Sequence, residues 1–177
     1  MSRILILYST TDGHTIKISH RLKQVLEQQG NRGEVLSIAD YQKLDLLLFD
    51  KIVIGASIRY GKHSKLVFDF IDKNLALLQS KPSAFFSVNI VARKTGKDCP
   101  ATNPYVQKFL RLTSWHPKTL AVFAGKLDYP KYSLLDRLMI QLIMLVTKGP
   151  TESTAVIEFT NWQKVEDFGQ LVSAMQE

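Results

Sequence analysis

The chain has 177 residues, 45% of them hydrophobic and 22% charged, a balance that excludes disorder and fibrous repeats and is ample for one buried core. One cysteine, Cys99, excludes an internal disulfide, and with no metal-ligand spacing around it the expected home is a reducing cytoplasm and the expected redox role none. A net charge of +7 and a pI of 9.5 favour anionic partners, whether nucleic acid, acidic lipid head groups or small carboxylates, without choosing among them.

In chain order, residues 3–8 read as a buried strand, with no charged, apolar and small-residue signal pattern before it, so secretion is not expected. Ile18, Leu22, Val25 and Leu26 make a helical stripe that ends near Gly30, and residues 33–38 form a second, weaker strand. Residues 51–57 give a third strand, followed by one helix carrying Val67, Ile71, Leu75 and Leu78. After Pro82, residues 84–89 are a fourth strand, 105–112 a helix and 120–124 a fifth strand. Thr160-Asn-Trp-Gln163 has capping-box spacing and opens a helix whose inner face is Trp162, Val165, Phe168 and Val172. Alternating strands and helices predict an α/β fold, a doubly wound parallel sheet covered on both faces. The chain is expected to be one domain over residues 1–177, without repeats or linkers, and residues 125–154 fit none of its five units and read as a helical insertion after the fifth strand.

Within the insertion, ten of the thirteen residues 134–146 are apolar, interrupted by Asp136, Arg137 and Gln141. A helix of that length covers about 20 Å, short of the roughly 30 Å hydrocarbon core, so it cannot span a bilayer alone. A helix buried in the domain's own core is the competing reading. Lys126, Lys131, Arg137 and Lys148 lie where they can meet acidic head groups, which points to peripheral attachment to an anionic membrane surface or to a homo-oligomer.

The loop Ser9-Thr10-Thr11-Asp12-Gly13-His14-Thr15 follows the first strand and feeds a helix. In an open α/β sheet ligands sit at that edge, where loop amides and the helix dipole favour a phosphate and hydroxyls add donors. The spacing is neither GxxxxGK[ST] nor GxGxxG, so a monophosphate cradle is expected; the competing reading is a hydroxyl-rich turn with a helix cap.

"STTDGHT" resembles the flavodoxin phosphate loop, which binds the 5′-phosphate of FMN, and "VIGASIRYGKH", "SAFFSVNIVARK", "AGKLDYPKY" and "FTNW" resemble the bacterial flavodoxin-type protoporphyrinogen oxidases, menaquinone-dependent enzymes of haem biosynthesis. The resemblance covers essentially the whole chain. It implies a flavodoxin-like five-stranded sheet of order 2-1-3-4-5 with FMN at its carboxyl edge. It also implies oxidation of protoporphyrinogen IX to protoporphyrin IX in three two-electron steps, with electrons passed through FMN to a membrane quinone, menaquinone or ubiquinone, at the cytoplasmic face of the inner membrane.

On that reading Ser57, Ile58, Arg59, Tyr60 and Gly61 lie against the flavin ring, Gly61 allowing close backbone approach and Tyr60 stacking. Ser87, Val88 and Asn89 flank its other edge. Arg59, Tyr60, Arg93 and Lys94 are expected to border the substrate, whose two propionates suit guanidinium and ammonium groups; a solvated basic turn is the alternative for the last pair. His14 is read as a loop residue, and no proton-transfer residue is named, because the cofactor carries the redox chemistry. An NAD(P)H:quinone reductase or an FMN electron carrier on the same fold remains the alternative function, although carriers of that family are strongly acidic. Nucleic acid is not an expected partner, since no stripe of alternating basic and aromatic residues appears.

Overall fold

The computed structural model describes residues 1–176. Its elements run β1 (Arg3–Ser9), α1 (His14–Gln28), β2 (Arg32–Ser37), β3 (Lys51–Arg59), β4 (Lys62–His63), α2 (Lys65–Lys73), α3 (Leu75–Ser80), β5 (Ser83–Val88), α4 (Pro104–Leu112), β6 (Thr119–Phe123), β7 (Lys126–Asp128), α5 (Leu134–Val146), β8 (Val156–Glu158) and α6 (Trp162–Ala174).

Four consecutive side chains of β1, Ile4 to Leu7, are fully buried, which requires cover on both faces of the strand. Period-two alternation sorts them. Ile4 and Ile6 pack with Ile18 and Leu22 of α1 and Val165 and Phe168 of α6, whereas Leu5 and Leu7 pack with Phe70 of α2 and Phe109 of α4. Gly55 of β3 is set by packing: a Cβ there would lie 2.0 Å from Cζ of Phe86 in the neighbouring strand. On the opposite face Phe85 stacks on Phe109 with centroids 3.9 Å apart, and the Trp115 indole donates to Ser83 Oγ at 3.2 Å.

The strands pair in the order β2-β1-β3-β5-β6, all parallel, with the two-residue β4 hairpinned antiparallel onto the end of β3. Without β4 this is the flavodoxin-like order 2-1-3-4-5. The chain leaves β1 toward β2 on one side and meets β3 on the other, so the loops after β1 and β3 diverge and open a crevice at the carboxyl edge.

Three local expectations need correction. The helix across 65–80 breaks at Asn74, whose backbone leaves the helical region (φ −120°, ψ 19°) and whose Nδ2 donates to Phe70 O at 2.8 Å, ending α2 before α3 begins. The cap of α6 is Asn161, accepting from Lys164 N at 3.2 Å; Thr160 instead donates to Ala124 O at 2.7 Å and joins the end of β6 to the start of α1. The insertion is more than a helix: β7 and β8 pair antiparallel and bracket α5, with Leu127, Tyr129, Tyr132 and Met144 forming a small core of their own. Among the described residues no helix is long and apolar enough to cross a membrane.

Candidate functional site

At the end of β1 the chain curls back, Gly13 N donating to Thr10 Oγ1 at 3.0 Å, and enters α1 through Gly13 in the left-handed region (φ 82°), a conformation that favours glycine. No side chain caps α1 and its first turn carries no acid, so the helix presents uncapped amides and the positive end of its dipole. Beside them Thr15 Oγ1 is buried and, among the described residues, has no hydrogen-bond partner. A buried hydroxyl without a partner is costly unless a ligand satisfies it.

His14 begins α1. Thr160 uses its one hydroxyl proton on Ala124 O, so the 2.6 Å contact between His14 Nε2 and Thr160 Oγ1 requires the imidazole to donate there. Burial pulls the His14 pKa below its ordinary value, favouring the neutral ring with an unprotonated Nδ1.

The β3–β4 hairpin turns on Tyr60 (φ 49°) and Gly61 (φ 73°), both left-handed, as a two-residue type I′ connection requires. Tyrosine in that region costs roughly 1–2 kcal/mol, and three contacts offset it. Tyr60 OH donates to Asp136 Oδ1 at 2.7 Å, the Arg59 guanidinium lies 5.1 Å from the Tyr60 ring centroid, and Lys108 Nζ donates to Gly61 O at 3.2 Å.

Beyond β5 the chain is fixed from below. Asn89 Nδ2 donates to Ser87 Oγ and Asn103 Oδ1, Asn103 Nδ2 returns a bond to Asn89 Oδ1, and Ser87 Oγ shares a 2.9 Å bond with His63 Nε2. His63 is buried edge-on against Phe85 and Phe109, and burial pushes its pKa down to about 4, so it is neutral.

These loops line a cavity of about 630 Å³ together with Leu127, Met139, Ile140 and Ile143 of the insertion. Thr10, Asp12, Gly13, His14 and Thr15 border it on one side, Ser57, Ile58, Arg59, Tyr60 and Gly61 on the second, and Val88 and Asn89 on the third. Ser9 and Thr11 do not border it: Ser9 pairs with Ala56 at the strand end and Thr11 is exposed. Ser87 lies beneath the cavity, wholly buried in the His63–Asn89 network.

Arg93 and Lys94 are not brought to the cavity; they border a separate crevice of about 180 Å³ near the start of α6. The Ile90–Arg93 turn aims the guanidinium at the carboxyl end of α5, where it donates to Thr147 O at 3.3 Å and Thr147 Oγ1 at 2.9 Å. Helix carbonyls attract a cation there. Gly149 makes room, since a Cβ on it would stand 2.5 Å from Arg93 Nη2.

The sequence reading missed Asp136 and Asp128. Asp136 is buried at the start of α5, accepting from Tyr60, from Ser133 Oγ at 2.7 Å and from Arg59 Nη2 at 2.5 Å; the Tyr60 and Ser133 bonds hold its pKa low. Its signal was the Ser133-x-x-Asp136 capping spacing, and Asp136 N does donate to Ser133 Oγ at 3.2 Å. Asp128 accepts from Lys126 Nζ at 2.9 Å, and this lysine and Lys131 border the cavity. Asp12 lies 3.4 Å from Arg59, and partial burial raises its pKa.

Over 174 residues, 98% of this chain and 75% of that protein, the sequence is 42% identical to a protoporphyrinogen IX dehydrogenase (quinone) of Leishmania major. It is 40% identical to the protein of that name from Escherichia coli strain K12 over 97% of this chain and 94% of the other. The chain belongs to this family. Residues 5–154 also match the family described as Flavodoxin domain. A short-chain flavodoxin associated with a bacterial microcompartment superimposes with a TM-score of 0.54 at 14% identity, covering 96% of this chain and 95% of the other, and shows the fold.

Quinone-dependent protoporphyrinogen IX dehydrogenases are oxidoreductases, and a flavodoxin domain brings a flavin. The residues present fit one. The uncapped amides of α1 and the unpartnered Thr15 hydroxyl suit a phosphate. The apolar Ile58 and Val88 border the same space as Asn89, so a ring with a polar edge can be held between the two loops.

Proposed function

We propose that this family member binds FMN without a covalent bond and oxidises protoporphyrinogen IX to protoporphyrin IX, passing the electrons to a membrane quinone, menaquinone or ubiquinone. The observation that carries this reading is the continuity of the cavity, which runs from the amide end of α1 to the underside of an insertion helix whose other side is apolar and exposed. One space therefore adjoins both a phosphate cradle and an element suited to a bilayer. The names of the relatives at 40–42% identity support the same substrate and acceptor.

The flavin, when bound, supplies the two-electron chemistry. Thr10, Gly13 and Thr15, with the first amides of α1, hold its phosphate. The backbone of the Arg59–Gly61 turn and of Val88–Asn89 holds the ring, the turn tied to Lys108 on one side and the end of β5 fixed by the His63–Ser87–Asn89–Asn103 network on the other. Met139, Ile140 and Ile143 close the cavity with apolar surface and exclude water from the reacting faces of substrate and ring. Arg59 faces the substrate carboxylates; Arg93 instead holds the far end of α5 and thereby that apolar wall.

Leu134, Leu138 and Leu142, exposed at 77%, 65% and 62%, form an outer face that seats α5 in the acyl boundary of a membrane. Attachment is peripheral, at the cytoplasmic face of the inner membrane, where a lipid-soluble quinone reaches the cavity from the bilayer. Purified FMN-loaded protein on vesicles should oxidise protoporphyrinogen IX with a menaquinone or ubiquinone analogue as acceptor. No turnover, or flavin reduction strictly dependent on NAD(P)H, would refute this function.

A further inference from the structure

Two features of the third-strand loop remain unexplained by cofactor binding. One is Tyr60, a bulky residue in the left-handed region, and backbone strain of this kind persists where its surroundings over-determine it. The other is the pairing of Arg59. Both of its carboxylate partners come from other elements: Asp12 from the phosphate loop and Asp136 from α5, the second packed well enough to be buried.

Asp136 shows what this corner recognises. Arg59 Nη2 and Tyr60 OH converge on its two oxygens, one donor to each, from a rim that opens directly into the cavity. A charged donor and a phenol meeting on one carboxylate make a complete carboxylate subsite. The chain's own side chain fills it.

We propose that Asp136 is an internal competitor that occupies the subsite for one carboxylate of the substrate and yields it to that carboxylate on binding. This rests on the reading of the cavity as the site of a dicarboxylate porphyrinogen. The exchange leaves Arg59 paired before and after, so no guanidinium is stranded in a partly dry site. An esterified ligand has no group that can replace Asp136 on Arg59, so it binds with the Arg59–Asp136 pair in place and gains nothing at this subsite. The internal carboxylate thus sets a threshold that an ionised carboxylate meets by replacing it and that a neutral ligand does not engage. Ser133 Oγ remains with Asp136 on the same helix turn and receives it when Arg59 is taken.

The test uses the FMN-loaded full chain with two air-stable probes in detergent micelles, protoporphyrin IX and its dimethyl ester, with affinity read from porphyrin fluorescence. Asp136→Asn keeps the shape and an acceptor for the helix cap while removing the competing charge. It should bind the diacid about fivefold more tightly, equivalent to ~1 kcal/mol, with the ester unchanged and FMN affinity unaltered. Arg59→Gln should weaken the diacid alone, and Asp136→Asn should add nothing in the Arg59→Gln background. Ser133→Ala, which removes the donor that receives Asp136 and leaves Arg59 and Tyr60 in place, should shift the diacid in the opposite direction to Asp136→Asn, weakening it with the ester unchanged, and carries the test if that variant fails to fold. Equal changes for diacid and ester, or no change, would overturn the proposal. Absence of porphyrin binding to native and variant protein alike would overturn it together with the functional reading. Binding with discrimination but without turnover of protoporphyrinogen would refute the functional reading alone.

Discussion

Helices α1 and α5 border the same cavity yet divide their residues in opposite senses. In α1 the apolar side, Ile18, Leu22, Val25 and Leu26, is buried against the sheet and α6, and the outward side is Lys17, His20, Gln24 and Glu27. In α5 a carboxylate, Asp136, is buried, and five leucines, Leu134, Leu135, Leu138, Leu142 and Leu145, face outward. The first arrangement completes a core; the second leaves one unfinished. Soluble monomers seldom leave such a patch uncovered, so the inversion marks α5 as the part of the molecule that meets something else.

The largest effect should come from reversing the outer face of α5. Leu138→Glu/Leu142→Glu should abolish flotation of the protein with anionic vesicles while leaving its thermal unfolding midpoint near that of the native chain. Flotation that survives would return α5 to a purely internal role. Next comes the same kind of truncation on both helices. Leu22→Ala should cost about 2–4 kcal/mol in urea unfolding, because it empties a fully packed position, whereas Leu138→Ala should stay within about 0.5 kcal/mol. Equal costs would erase the distinction between the helices.

A third test reads the floor between them. The folded His63 value of about 4 lies below the ordinary 6.5, so the unfolded chain takes up the proton first. The stability this histidine contributes is therefore complete above pH 6.5 and lost as pH falls toward 4, by on the order of 3 kcal/mol. His63→Gln should flatten that part of the urea-unfolding profile against pH. A smaller change is expected at the α1 end: Thr15→Ala should weaken FMN binding about tenfold, the worth of one hydrogen bond to a charged group, measured by flavin fluorescence. Smallest of all, Cys99→Ser should leave turnover unchanged, since the thiol is exposed, outside the cavity lining, and hydrogen-bonded to Thr102.

The five parallel strands were legible because a buried parallel strand writes itself as an unbroken apolar run, as in residues 4–7 and 52–54. The loop between β1 and α1 was legible for a similar reason: its glycine and hydroxyls are local. What escaped was everything made by partners distant in sequence. Asp136 is an interruption in an apolar run until Tyr60, 76 residues away, is seen to reach it. Arg93 reads as a free cation beside the fourth strand until Thr147, 54 residues on, is seen to claim it. Strands β7 and β8 are three residues each, too short for periodicity to reveal, and Asn74 breaks a helix whose apolar spacing continues straight through. Charged residues were hardest to place, because a sequence records their sign but not their counterion.

The two tryptophans sit where they make the molecule its own spectrometer. Trp115 is sealed in the core, its indole on Ser83 and its ring edge-on to Phe85 and Phe109. Trp162 lies behind three residues that border the cavity, donating to Glu158 Oε1 at 2.7 Å, with Lys17 Nζ 5.0 Å from its ring and the His14 ring at 6.2 Å. One chromophore therefore emits from a dry environment and the other from beside His14, Lys17 and Glu158, which border the cavity. Iodide quenching separates the two signals, so an unlabelled sample reports fold integrity in its blue-shifted emission and site occupancy in its red-shifted emission within a single titration.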